Sequence, residues 1–281
     1  MSKLKAFFEV TKPKQTFLLM LTFVFSYILA DGRFGVIFLF AFLATFLAVS
    51  GTTAINMCLD KDIDSLMPRT KNRPLPAKKI GDKDVAIFGT LLFIASSAIA
   101  VKIDLELFLV ILAGLIFDIF FYTLMLKRKS PYSILVGGIA GMMPALAGWV
   151  SAAEFSCAGL LLATLVLIWI PSHIWYIAIY YEEDYRIAKV PMFPVVFGVE
   201  KTAWAIVVAN TLMIPVLALT YLFLKLNLIF IALAILIVLV FLYKAVKFAV
   251  APSRDGARVM YKSASMMLSA IYISLLFGKL I

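Results

Sequence analysis

Charge and cysteine are both scarce in this 281-residue chain. Asp, Glu, Lys and Arg make up 15% of it against 64% hydrophobic residues, and the mean hydropathy is +1.04. That balance excludes a soluble globular domain, which needs far more charged surface to stay in water. The two cysteines, Cys58 and Cys157, stand far apart with no CxxC spacing. Neither a disulfide framework, a thiolate metal site nor cysteine redox chemistry is indicated. Acids are scarcer than bases, 16 against 26, which leaves a formal charge of +10.

Long apolar runs are what the chain has in quantity. Runs able to cross a hydrocarbon layer roughly 30 Å thick recur along it, and each must be helical so that its backbone groups bond internally. The expected spans are 17–30, 35–58, 85–101, 105–126, 133–151, 157–181, 203–223, 227–250 and 263–280, a single polytopic membrane domain over 1–281. The leading MSKLKAFFEVTKPKQ has basic residues but no small-residue cleavage site after a short apolar core, so the first run is expected to stay as helix one.

The excess of positive charge is sorted by side. Of the 26 Lys and Arg, 22 fall before helix one or in the loops after the even-numbered helices; only Arg33, Lys102, Lys225 and Lys279 fall on the other side. By the positive-inside rule the N-terminus is cytoplasmic and, with nine spans, the C-terminus outside, in a cell membrane. Topology and contact with anionic membrane lipids account for the basic residues without any nucleic-acid partner.

Topology makes no such demand for acids, yet 11 of the 16 lie on the cytoplasmic side, six of them concentrated in two patches. The first patch, within 56–76, reads NMCLDKDIDSLMPRTKNRPLP. Asn56, Asp60 and Asp64 are spaced i, i+4, i+8, so a helix continuing from span two lines them up on one face and turns Asp62 away. Stacked carboxylates repel unless cations sit between them. Oxygen-only ligands beside an amide suit a hard ion such as Mg²⁺, which binds through one or two carboxylates plus substrate phosphates. Arg69 and Arg73 follow on a loop stiffened by Pro68, Pro74 and Pro76, and guanidinium forks match phosphate oxygens. A solvated loop with balanced charges is the plain alternative, but Asn56 extends the polar register into the span, where a polar residue is costly and a functional candidate.

The second patch, within 180–198, begins YYEEDYRIAKVP and follows span six, four helices later and on the same side. Two four-helix halves facing a shared cavity, with helix nine appended, would place the patches opposite each other. Asp184 is the favoured second ligand to a metal or its water, with Glu183 beside it. Between the patches, Lys127 and Arg128 end span four; opposite two acidic patches they would complete a diphosphate clamp. Asp118, on the same span with Tyr122 one turn on, is a further buried polar candidate.

His173 is the only histidine, within LIWIPSHIWYIAIYYEED. On a helix it shares a face with Tyr180 and Asp184 and lies about 16 Å deeper than Asp184. Pro171 removes a backbone bond nearby. A histidine in lipid usually faces a cavity. Flanked by Trp169, Trp175 and Tyr176, this one either packs structurally, binds a large flat aromatic substrate, or ligates a haem iron.

These residues resemble the UbiA-type intramembrane prenyltransferases, and within them the haem O synthase branch, the protoheme IX farnesyltransferases. The shared motif is NxxxDxxxD at Asn56, Asp60 and Asp64, followed by RTKNRPLP at 69–76. The branch is marked by YTLMLKRKSPYSILVGGIAGMMPALAGW (122–149), WIPSHIW (169–175), EDYRIAKVPMFPVVFG (183–198) and TKPK (11–14). Ser130, Ser172 and Lys189 depart from the branch's usual Thr, Pro and Gly.

The resemblance implies an all-α membrane fold of about nine helices ringing a cavity open to lipid. It implies Mg²⁺ at Asn56, Asp60, Asp64, Asp184 and Glu183, with Asp60, Asp64 and Arg73 catalytic. The diphosphate would be held by Arg69, Arg73, Lys127, Arg128 and Lys12, and the haem by His173, Trp175 and Tyr180. The implied reaction transfers farnesyl from farnesyl diphosphate to a vinyl group of haem B with addition of water, giving haem O for a downstream haem A synthase or terminal oxidase. A relative acting on 4-hydroxybenzoate, another quinone precursor or a lipid would need no His173. A secondary transporter fits less well, because transport sites usually lie near the bilayer midplane.

Reporter fusions check the orientation: a fluorescent protein at the N-terminus is expected on the cytoplasmic face, and alkaline phosphatase at the C-terminus to be active outside.

Overall fold

A computed structural model describes residues 3–281, and among these every regular element is helical. In chain order they are α1 (Lys3–Val10), α2 (Pro13–Leu29), α3 (Val36–Leu59), α4 (Lys61–Leu66), α5 (Asp82–Ile103), α6 (Leu105–Leu126), α7 (Ser133–Val150), α8 (Cys157–Tyr180), α9 (Glu182–Ile187), α10 (Phe193–Phe197), α11 (Val199–Leu224), α12 (Leu228–Val250) and α13 (Arg254–Leu280). Eight of these are long and apolar enough to cross a membrane, and α2, at 17 residues, is a shorter apolar helix at the expected first span. The protein is a multi-pass membrane protein. Helix α13 begins nine residues before the expected 263 because Ser253 caps it, its side chain accepting from the Gly256 N–H; its first turns are too polar for a hydropathy reading to include.

Small residues decide which helices touch. Without a hydrophobic force between helices in lipid, close packing supplies the attraction. Helix α3 meets α5 at Ala44 and Gly51, and α5 answers with Ser96 and Gly89. A Cβ built on Gly51 would lie 2.6 Å from the Gly89 carbonyl oxygen, and one on Gly89 2.8 Å from that of Gly51. The Ser96 hydroxyl adds a bond to the Ala44 carbonyl at 2.7 Å. Elsewhere α7 lies between α2 and α8, and α13 closes the ring by packing on α12, α8 and α2.

Two local irregularities face the interior. The second half of α6, Ile116–Leu126, is a π-helix, whose wider turn brings Asp118, Tyr122 and Lys127 to the cavity wall. Helices α1 and α2 are separated by Lys12, whose φ of 46° lies in the left-handed region, costly for a side chain with a Cβ.

Gly51→Leu should wedge α3 from α5 and cost about 1–3 kcal/mol, the range for overpacking a close contact. A lowered melting temperature in detergent, with no such change for lipid-exposed Leu91→Ala, checks this.

Candidate active site

The two acidic patches meet at one end of the helix ring. Although α3 ends at Leu59, the i to i+4 backbone bonds run on through the break: Asp60 N–H to the Asn56 carbonyl at 3.0 Å, then Asp64 N–H to the Asp60 carbonyl at 2.9 Å. Asn56, Asp60 and Asp64 therefore stay in one register, with exposures of 6, 3 and 4%, while the Asp62 side chain is 63% exposed. The loop after α4 folds over them. Thr70, fully buried, donates its hydroxyl to the Asp64 carbonyl at 2.8 Å, and Leu75 is buried in a cluster with Ala6 and Val10 of α1.

Asp60 and Asp64 each meet a cation. Arg73 Nη1 donates to Asp64 Oδ2 at 2.7 Å, and Lys127 donates to Asp60 Oδ2. Lys12 Nζ donates to Asn56 Oδ1 at 3.2 Å. Burial lowers the Lys12 pKa to about 8, helped by the positive charges of Arg73 and Lys127 against the opposing pull of Asp60 and Asp118. An anion arriving beside Lys12 would reverse that balance.

The second patch closes the same end. Asp184, 9% exposed, accepts the Arg69 backbone N–H at 3.1 Å. The Arg69 guanidinium donates to the Tyr185 hydroxyl at 3.2 Å and lies 4.5 Å from the Tyr181 ring centre. Glu183 turns outward, 73% exposed and 3.6 Å from Arg186. Arg128 also faces out: it pairs with exposed Asp62, caps the Leu59 carbonyl at 2.9 Å, and through its hydrogen bond holds the Asp62 carboxyl below its usual range.

From this cap a cavity of about 400 Å³ runs into the ring. Lys12, Asn56, Asp60, Asp64, Arg69, Arg73 and Lys127 line its charged end, and Trp169 and His173 its wall within α8. His173 stacks on Trp169 with ring centres 4.6 Å apart. Trp175 and Tyr180 do not line this space. Trp175 packs on Phe193, and Tyr180 carries the guanidinium groups of Arg254 and Arg258 at 5.2 and 5.7 Å. Thr123 and Tyr185 escaped the sequence reading. A threonine inside an apolar span was the available signal for Thr123.

The donor set fits a hard cation. Asp60 Oδ1 is buried without a hydrogen-bond partner, and Asn56 and Asp64 line the same end of the cavity. Among the described residues no three Asp, Glu, His or Cys side chains converge, so an ion here would draw its remaining ligands from the amide, water or phosphate oxygens, as Mg²⁺ commonly does.

A helical membrane ring whose cavity carries acids and cations at one mouth suits a lipid-soluble substrate with an anionic head. The sequence profile of the UbiA prenyltransferase family matches residues 18–271, and the chain belongs to that family. It is 54% identical over 278 residues to a protoheme IX farnesyltransferase of Archaeoglobus fulgidus, covering 99% of each chain. Its identity to one of Korarchaeum cryptofilum is 44% over 274 residues, 97% of this chain and 93% of that relative. Among solved structures, one concerning digeranylgeranylglyceryl phosphate synthase matches with a TM-score of 0.81 at 19% identity, covering 99% of both chains. A UbiA homologue from Archaeoglobus fulgidus bound to GPP and Mg²⁺ matches with 0.70 at 15%, covering 98% of this chain and 100% of that one. At such identities the likeness is one of fold.

Asp60→Asn and Lys127→Met should each lower diphosphate release from a prenyl diphosphate by about 100-fold or more, the effect of removing one aimed electrostatic group. Arg128→Met, outside the cavity, should change it less than about threefold.

Proposed function

We propose that this prenyltransferase moves the farnesyl group of farnesyl diphosphate to a vinyl carbon of haem B and adds water, forming haem O. The observation that carries the reading is one cavity joining a diphosphate-type cap to His173. The protoheme IX farnesyltransferases that match over nearly the whole chain support it.

The residues divide the work. Lys12, Arg69, Arg73 and Lys127 hold the diphosphate and balance the charge that grows on it as the bond to farnesyl C1 breaks, the electron pair leaving with oxygen. Asn56, Asp60 and Asp64, with Asp184 across the cap, would hold Mg²⁺, which when bound supplies further neutralisation of the phosphate oxygens. The apolar wall keeps water from the allylic cation. The vinyl group attacks C1, and water then captures the resulting cation and loses a proton. Asp64 and Asp184 each orient the cap loop as well, through Arg73 and the Arg69 backbone.

His173 suits the haem end. Its Nδ1 lies 3.1 Å from the Tyr261 carbonyl oxygen, which only accepts, so Nδ1 carries the proton. The lone pair on Nε2 is left for iron, with the tautomer fixed by a backbone carbonyl as is usual for ligating histidines. The cap faces the cytoplasm in this reading, and the cavity takes its substrates from the lipid phase.

Purified protein in detergent with haem B, farnesyl diphosphate and Mg²⁺ should yield haem heavier by a farnesyl group plus the elements of water by mass spectrometry, lost with EDTA or Asp60→Asn. His173→Ala should weaken haem retention and shift the Soret band. Diphosphate release without a heavier haem would move the acceptor to a phenol such as 4-hydroxybenzoate or to a lipid.

A further inference from the structure

We infer that Thr123 is a positioning residue that dictates which way the Asn56 amide faces; the inference rests on the reading of Asn56 as a cation ligand. Both side chains are shut away from solvent, Asn56 at 6% exposure and Thr123 at 2%. Asn56 Nδ2 donates to Thr123 Oγ1 at 2.8 Å, and Thr123 Oγ1 donates to the Asp118 carbonyl at 2.7 Å. A hydroxyl has one proton. Given to Asp118, it leaves only acceptor capacity toward Asn56, so the amide must present nitrogen to Thr123.

The opposite side of the amide imposes the same choice. Lys12 Nζ lies 3.2 Å from Asn56 Oδ1, and an ammonium group has nothing to accept with, so an oxygen must face it. Two neighbours, Thr123 on α6 and Lys12 in the break between α1 and α2, thus select one of the two amide orientations. It is the one that sends the oxygen toward Lys12 and leaves the N–H₂ away from any cation. The flipped amide would set N–H groups against Lys12 and an oxygen against a hydroxyl whose proton is already committed. The π conformation of α6 makes this possible, because Thr123 reaches back five residues to the Asp118 carbonyl.

The test uses full-length protein in detergent, with Mn²⁺ binding in the presence of inorganic diphosphate followed by the EPR signal of free Mn²⁺. Thr123→Val, which keeps the shape and removes the hydroxyl, should weaken Mn²⁺ binding about tenfold, the usual scale for an outer-shell partner of a metal ligand. Thr123→Ser should stay within about twofold of wild type. In an Asn56→Ala background Thr123→Val should add nothing. Wild-type binding by Thr123→Val, loss in Thr123→Ser equal to that in Thr123→Val, or the same tenfold loss in the Asn56→Ala background would overturn the inference. If Asn56→Ala itself binds Mn²⁺ like wild type, the ligand reading fails and the inference with it. If Asn56→Ala weakens binding while Thr123→Val does not, only the inference fails. Should Thr123→Val not fold, Thr123→Ala replaces it under the same expectations.

Discussion

A carboxylate taken out of water costs several kcal/mol unless a cation and hydrogen-bond donors accompany it. Asp60 and Asp64 are 3% and 4% exposed at the end of an apolar helix, so the structure around them has to deliver that company. Lys127 comes from the end of α6, Arg73 from the loop after α4, and Lys12, beside Asn56, from the break between α1 and α2. The loop conformation, the π turn and the left-handed Lys12 are all ways of bringing a positive charge to the same place. Removing one partner of a buried pair typically costs about 3–5 kcal/mol, which explains why the cap is built from so many chain segments at once.

The cavity below the cap follows from the other half of the composition. Helices that meet through Gly, Ala and Ser approach closely at chosen seams, and larger side chains between seams stand off and leave space. Trp169, with its indole N–H bonded to the Ala264 carbonyl at 2.8 Å, and Tyr272, with its hydroxyl bonded to the Leu162 carbonyl at 2.7 Å, spend their polar atoms on backbone. That leaves apolar ring surface toward the cavity, the lining an allylic cation survives in.

Much of the cap was legible in the chain because its geometry is local. An i, i+4, i+8 spacing survives the break between α3 and α4, since the backbone bonds continue through Asp60. The fold class was legible for the same reason, each span being a property of its own residues. Side chains whose direction depends on neighbouring helices were not. Trp175 is turned to Phe193, Tyr180 to the arginines of α13, and Glu183 to solvent, although helical spacing alone could not separate them from His173 and Asp184. The π turn has no signature in residue spacing. Lys189 is a different case: it stands where the family pattern carries glycine, and its φ of 53° lies in the left-handed region that favours glycine. The pattern records a backbone requirement, which this chain meets with a strained lysine.

Helix α1 gives the cap an owner outside the membrane-spanning ring. Its Ala6 and Val10 are buried against Ala54 and Met57 of α3, Leu75 of the loop and Val85 of α5, and the chain leaves it directly through Lys12. The grip of that short surface helix on three other segments sets where one cation at the charged mouth of the cavity sits. Starting the chain at residue 13 would keep the nine apolar helices among the described residues and still remove Lys12 from the charged end of the cavity, so the segment 3–12 shapes the cavity mouth without crossing the membrane.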